Sequence, residues 1–364
     1  MKVKEIASAI ERVAPLYLQE SYDNAGMQVG DPDSVITGVV LCTDVRECIV
    51  DEAIACGANL IISHHPLIFH GLKKLTGRNY VERTVLKAIR HGVSIYCAHT
   101  NLDNARGGVS YKMAEKLGMK NVVVLDPQVG TQRKIVVFVP QAQAADVEQA
   151  MWRAGAGTLG DYDRCSYRVE GEGRFHALDG ANPFAGEVGE DHVENEVRVE
   201  VLVNKARCSA VIAAMLAAHP YEEPAFDVIP LENADRYSGS GVIGDIEEIG
   251  GADFMRRLKE EAFGVDTVRF SGNLDRKVKR VALCGGAGSF LAGKAMSMGA
   301  DVYVTGDMKY HEFQGNEERI ILADIGHYES EQYTKEIFAD IIASLHPDFE
   351  VKYANEEQNQ VKYI

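Results

Sequence analysis

The stretch Leu60-Ile61-Ile62-Ser63-His64-His65-Pro66-Leu67 decides the fold. An unbroken apolar run leads into two adjacent histidines and a proline. A strand of a parallel sheet carries such a run, because both of its faces are buried. Successive side chains of a strand point to opposite faces. His64 and His65 can therefore converge only where the strand stops. Pro66 supplies the stop: it lacks an N–H and biases His65 toward an extended backbone. Both imidazoles then sit at the carboxyl end of a strand, where open α/β sheets keep their ligand sites. Imidazole is a frequent metal ligand; a hydrogen-bonded pair in a loop is the plainer alternative.

The same rhythm runs outward from this point. Val39-Val40-Leu41-Cys42-Thr43 reads as a buried strand, followed by a helix through Cys56 with Gly57 as its cap. A helix over 79–91 and a strand over 93–100 follow, the strand running into Asn101-Leu102-Asp103. This alternation predicts a parallel sheet with right-handed crossovers. Near the other end, Val281-Ala282-Leu283-Cys284-Gly285 repeats the Val39 strand. Gly299-Ala300-Asp301-Val302-Tyr303-Val304-Thr305 repeats the Gly57 stretch at the same separation of 242 residues. The strand before His327 echoes the one ending at His99. The reading is α/β: two pseudo-symmetric βαβ-type half-domains, 1–126 and 237–364, whose strand ends share a metal cleft. Between them, 127–236 reads strand-helix-strand-strand-helix-strand, an inserted ferredoxin-like α+β domain. The acidic, Gly-rich stretch 170–196 fits a long hairpin within it. The first residues, 1–20, read as an amphipathic helix and not as a signal peptide.

Composition bounds the function. Net charge is −16, from 54 acidic and 38 basic residues, so a polyanion such as nucleic acid is repelled overall. Seven cysteines, an odd count without Cys-x-x-Cys, point to reduced thiols and a cytoplasmic protein. No run approaches the roughly 18 apolar residues that span a membrane.

Four strand ends carry the chemistry. They are His64-His65, His99 with Asp103, Asp307 with His311, and His327 with Glu331. His327 and Glu331 are four apart, so a helix from Tyr328 onward would put them on one face. Together His64, His65, Asp103, His327 and Glu331 offer three neutral nitrogens and two carboxylates. That is the composition of a two-metal hydrolytic site, suited to zinc, iron or manganese alike. His99 and His311 stand beside these positions to orient ligands or carry protons, with a purely structural role as the alternative. Cys284-Gly285-Gly286-Ala287-Gly288-Ser289 is either a tight turn or an anion cradle.

At these residues the chain resembles the NIF-three-like family, the GTP cyclohydrolase I type 2 homologues. Tyr22-Asp23-Asn24-Ala25-Gly26-Met27-Gln28-Val29-Gly30, Ile62–Leu67, His99–Asp103 and Gly326–Glu331 carry the likeness, which spans both halves. The resemblance implies two divalent metal cations per chain between the halves, held by His64, His65, Asp103, His327 and Glu331, with Glu331 bridging. It implies a homohexamer, a dimer of trimers, with the metal sites facing an interior cavity. The segment Ala218–Asp227 resembles PII/CutA-like domains, which tend to trimerise. The implied activity is metal-dependent hydrolysis of GTP or a similar small molecule, with Lys73, Lys74, Arg78 and Lys309 near the site in sequence to meet phosphates. The alternative is a non-enzymatic, regulatory metal-binding hexamer that docks a protein partner.

Overall fold

Val3–Val13 forms the first helix, α1, and buries Val3, Ile6 and Ile10 along one face. It is shorter than predicted because Pro15 lacks the N–H that another turn needs, and a 3-10 turn, Leu16–Leu18, follows. The computed structural model describes residues 1–316 and 319–364. Strands β1 (Gly26–Val29), β2 (Val39–Cys42), β3 (Leu60–Ser63) and β4 (Ser94–Cys97) come next, with α2 (Glu47–Ala55) and α3 (Tyr80–Arg90) as crossovers. Helices α4 (Thr100–Asp103) and α5 (Val109–Lys116) lead to β5 (Lys120–Gln128). Then come β6 (Gln132–Pro140), α6 (Ala144–Arg153), β7 (Ser166–His176), β8 (Asp191–Asn204), α7 (Cys208–Ala218) and β9 (Phe226–Leu231). The chain continues through β10 (Asp235–Gly250), α8 (Gly251–Arg256), β11 (Arg269–Ser271), β12 (Lys277–Leu283) and α9 (Ala292–Ser297). It closes with β13 (Val302–Thr305), β14 (Ile321–Asp324), α10 (His327–Glu331), α11 (Thr334–Leu345) and β15 (Val351–Tyr353).

These elements divide into two compact units, 1–127 with 236–364, and 128–235. The first unit holds two sheets, ordered β1-β4-β3-β2-β15 and β11-β14-β13-β12-β10-β5. In one, β2, β3 and β4 run parallel, with Leu60 opposite Val39 and Ser94. Leu41 and Ile62 pack under α1 and α11 through Ile6, Ile10 and Phe338. Val40 and Ile61 pack on the other face under α2 and α3 through Ile49 and Val85. Cover on both faces is why these strands read as continuous apolar runs. The other sheet repeats the arrangement, with Val302 opposite Val281 and Ile321.

Two features differ from the sequence reading. The sheets are mixed: β1 runs antiparallel to β4, β10 to β12 and β11 to β14. The edge strands β1 and β11 are not buried on both faces, so the apolar-run signal misses them. The two segments of the unit also interlock. β15, near the end of the chain, pairs with β2 in the first sheet, and β5 closes the second.

Residues 128–235 form an antiparallel sheet ordered β7-β8-β6-β9. Ile135, Val137, Val199 and Val201 pack there against Val147, Met151, Val211 and Met215 of α6 and α7. The stretch 170–196 is the hairpin of β7 and β8. Among the described residues no helix is long and apolar enough to cross a membrane.

Candidate metal centre

The ladder between β3 and β2 runs on into the histidines. The His64 and His65 N–H groups donate to the Cys42 and Thr43 carbonyls, so the backbone carrying both rings is held. His64 is fully buried. Its Nδ1 lies 2.9 Å from the Ala98 carbonyl. A carbonyl can only accept, so Nδ1 carries the proton and Nε2 keeps a lone pair. Among the described residues, that Nε2 has no hydrogen-bond partner. It faces Asp103 Oδ1 at 3.6 Å and Glu331 Oε1 at 3.5 Å. Asp103 Oδ1, at the end of α4, is also buried with no hydrogen-bond partner among the described residues.

A second pocket of lone pairs lies beside it. His65 Nδ1 donates to Asp44 Oδ1 at 2.9 Å, and His327 Nδ1 to Asp307 Oδ2 at 2.8 Å. The two Nε2 atoms therefore turn their lone pairs toward each other, 3.2 Å apart. Glu331 Oε2 completes the group at 2.8 Å from His65 and 3.2 Å from His327. Three acceptors around one point repel unless protons or a cation sit among them.

Glu331 is 2% exposed and reaches this point from α10. Gly326, at φ 93°, stands just before that helix, which begins one residue earlier than predicted. The Gly-rich turn makes room: a Cβ on Gly286 would lie 2.4 Å from Glu331 Oε1. The Gly286 N–H donates to Ser330 Oγ at 2.9 Å. The turn thus serves Glu331 and its helix.

The charges agree with a bound cation. Burial pushes the Asp103 carboxyl up to about 6; His64 opposes this and the Glu331 charge adds to it. Burial would raise Glu331 as well, but His64, His327 and His65 outweigh it and hold the carboxyl well below its usual range. Two carboxylates sharing one site are driven apart in this way. His327 is raised to about 9, burial working against the shift and the Glu331 carboxylate overcoming it. Without a cation, the imidazoles supply the positive charge.

Ligand atoms of three groups come within 4.8 Å of one another: His64, Asp103 and Glu331; His65, His327 and Glu331; and His64, His65 and His99. These clusters can hold a metal ion. The structure thus brings together His64, His65, Asp103, His327 and Glu331, with His99 at their edge. His99 Nδ1 is 2.7 Å from Asp23 Oδ1. His311 is not brought in. It is exposed on the 3-10 segment Tyr310–Asn316, edge-on against Tyr310 with Nδ1 3.4 Å from Gln314 Oε1. Sequence reasoning missed Asp44 and Asp23. Asp44 stands two residues past the end of β2 as His65 stands two past the end of β3, and that position was the available signal. Beside His65 and His327 opens a cavity of about 510 Å³. Arg269, held by Asp324 and the Met308 carbonyl, lines it, and Lys73, Lys74, Arg78 and Lys309 do not.

Known proteins share this architecture. A family model described as Duf34/NIF3 (NGG1p interacting factor 3) matches residues 1–360. A "GTP cyclohydrolase 1 type 2 homolog" from Halalkalibacterium halodurans is 39% identical over 307 residues, 84% of this chain and 82% of that protein. A protein of the same name from Bacillus subtilis is 39% identical over 310 residues, 85% of this chain and 83% of that one. The crystal structure of a Bacillus cereus protein related to NIF3 superposes with a TM-score of 0.83 at 35% identity, covering 100% of this chain and 99% of that one.

Proposed function

Because the chain belongs to the Duf34/NIF3 family, we propose that its histidine and carboxylate cluster holds two divalent cations and serves a metal-dependent hydrolase acting on a nucleotide or similar small molecule. The split geometry of Glu331 carries this reading. Its Oε1 faces His64 while its Oε2 faces His65 and His327. One ion would take His64, Asp103 and Glu331, the other His65, His327 and Glu331. The partnerless buried atoms His64 Nε2 and Asp103 Oδ1 fit the first, and the facing lone pairs of His65 and His327 fit the second. Zinc, iron and manganese all suit such ligands.

When bound, a cation pair supplies Lewis acidity and a hydroxide nucleophile at neutral pH. The chain's own residues orient and move protons. Ala98, Asp44 and Asp307 fix the three ligand imidazoles so that Nε2 is the free atom. His99, with its ring centroid 5.3 Å from that of His64 and 5.6 Å from that of His65, is the proton carrier of this reading. The name of the relatives makes GTP the first substrate to try, with water opening the purine ring at C8 and formate leaving.

The matched registers of β2 with β3 and β12 with β13 support reading the two sheets as related halves. The four antiparallel strands and two helices of 128–235 support a ferredoxin-like insert. Its edge strand β9 leaves Phe226, Val228 and Ile229 37%, 40% and 40% exposed, which supports self-association into the proposed homohexamer. Ile229→Lys is expected to yield smaller species in sedimentation velocity; an unchanged coefficient would exclude this edge from the contact.

Elemental analysis of the purified protein tests the metal reading, with two ions per chain expected. Metal-loaded protein that releases no formate from GTP, yet hydrolyses another small molecule, would replace the substrate. One ion or none per chain would overturn the dinuclear centre.

A further inference from the structure

The unit 128–235 contains a recess of its own, of about 570 Å³, within the range of small-molecule sites. Phe175, Phe184 and Tyr221 line it. The centroids of Phe175 and Phe184 each lie 6.2 Å from that of Tyr221, so three aromatic rings border one space. Phe184 is 53% exposed, and a large ring left that open contributes little to the core.

Glu196 shares the lining. Tyr221 donates its hydroxyl to Glu196 Oε1 at 2.9 Å, which fixes the carboxylate. Gly173 is what admits it: a Cβ there would fall 2.2 Å from Glu196 Oε2. Among the described residues, Oε2 accepts no hydrogen bond. Glu222 adds a second carboxylate, its Oε1 held by the Asn182 N–H at 2.9 Å. The basic side chains in the lining already have acidic partners. Arg174 pairs with Glu172 at 3.6 Å and His176 with Asp191 at 2.8 Å.

We propose that this recess binds a small organic cation, an alkylammonium group on a compact apolar body. An anion would meet Glu196 and Glu222. A neutral apolar molecule would strip water from Glu196 and leave its charge unpaired. An ammonium group satisfies the carboxylate and meets the electron-rich ring faces, which attract cations; its apolar body covers the rest of the rings. The site takes no residue from the metal cluster, so it stands or falls independently of the hydrolase reading.

Calorimetric titration of the full chain tests this with choline, benzylammonium and neopentylcarbinol, the last being the uncharged carbon isostere of choline. At least one of the two cations is expected to saturate the chain, and the isostere is not. Glu196→Gln removes a charge-assisted contact and is expected to weaken cation binding about tenfold. Phe184→Leu, at an exposed position that leaves the core intact, is expected to weaken it several-fold without creating affinity for the isostere. Unchanged circular dichroism and an unchanged urea unfolding midpoint show that each variant is folded. Saturation by neither cation, equal binding of the isostere, or full affinity in folded Glu196→Gln would overturn the proposal.

Discussion

Glu331→Ala is expected to empty both metal positions at once. Under the dinuclear reading Glu331 is shared by both groups: Oε1 faces His64 at 3.5 Å, and Oε2 faces His65 at 2.8 Å and His327 at 3.2 Å. Losing the shared ligand should lower metal affinity well beyond the roughly 10–100-fold that loss of a merely orienting partner costs. Asp44→Ala gives the comparison. It removes the acceptor of the His65 Nδ1–H at 2.9 Å and should fall within that 10–100-fold range. Competition with a chromogenic chelator measures both variants. A Glu331→Ala chain that keeps two ions at wild-type affinity would refute the bridge, and equal losses in the two variants would reduce Glu331 to an orienting role.

The second large effect lies at the C-terminal tail. Glu357 is 2% exposed in its side chain, against 15% for its partner Lys335. Besides Lys335, it accepts the N–H groups of Thr43 and Asp44. Removing one member of a buried pair leaves the other charge uncompensated, at a cost of about 3–5 kcal/mol. Glu357→Ala is expected to lose that much stability in urea unfolding of the metal-free chain. Because the same carboxylate holds the Asp44 backbone, and Asp44 orients His65, metal affinity should fall too. The double variant Glu357→Ala, Lys335→Met should recover part of the stability, since no lone charge remains. A single variant with an unmoved urea midpoint would show that the tail is not anchored there.

What the chain spells out locally was legible. Continuous apolar runs marked β2, β3 and β4, the last two leading into imidazole, because strands buried on both faces leave no polar alternation. The i,i+4 spacing placed His327 and Glu331 on one helical face, and α10 carries both. What depends on distant partners was not legible. β1 and β11 are short flanking strands whose antiparallel pairing is decided by neighbours far along the chain. Asp44 and Asp23 are ordinary surface-type residues until a histidine arrives opposite them. His311 misled for the converse reason: it follows a strand end by only a few residues, yet the 3-10 segment after β13 carries it away from the cluster.

His65 and Glu331 meet across 266 residues of chain. A ribosome adding roughly 10 residues per second needs about half a minute to make the second after the first. During that interval the nascent polypeptide has His64, His65 and His99 but not Glu331, and β2 lacks its neighbour β15. On the dinuclear reading, closing both ion positions therefore waits for Glu331, and a product truncated before it would keep only the group of His64, His65 and His99.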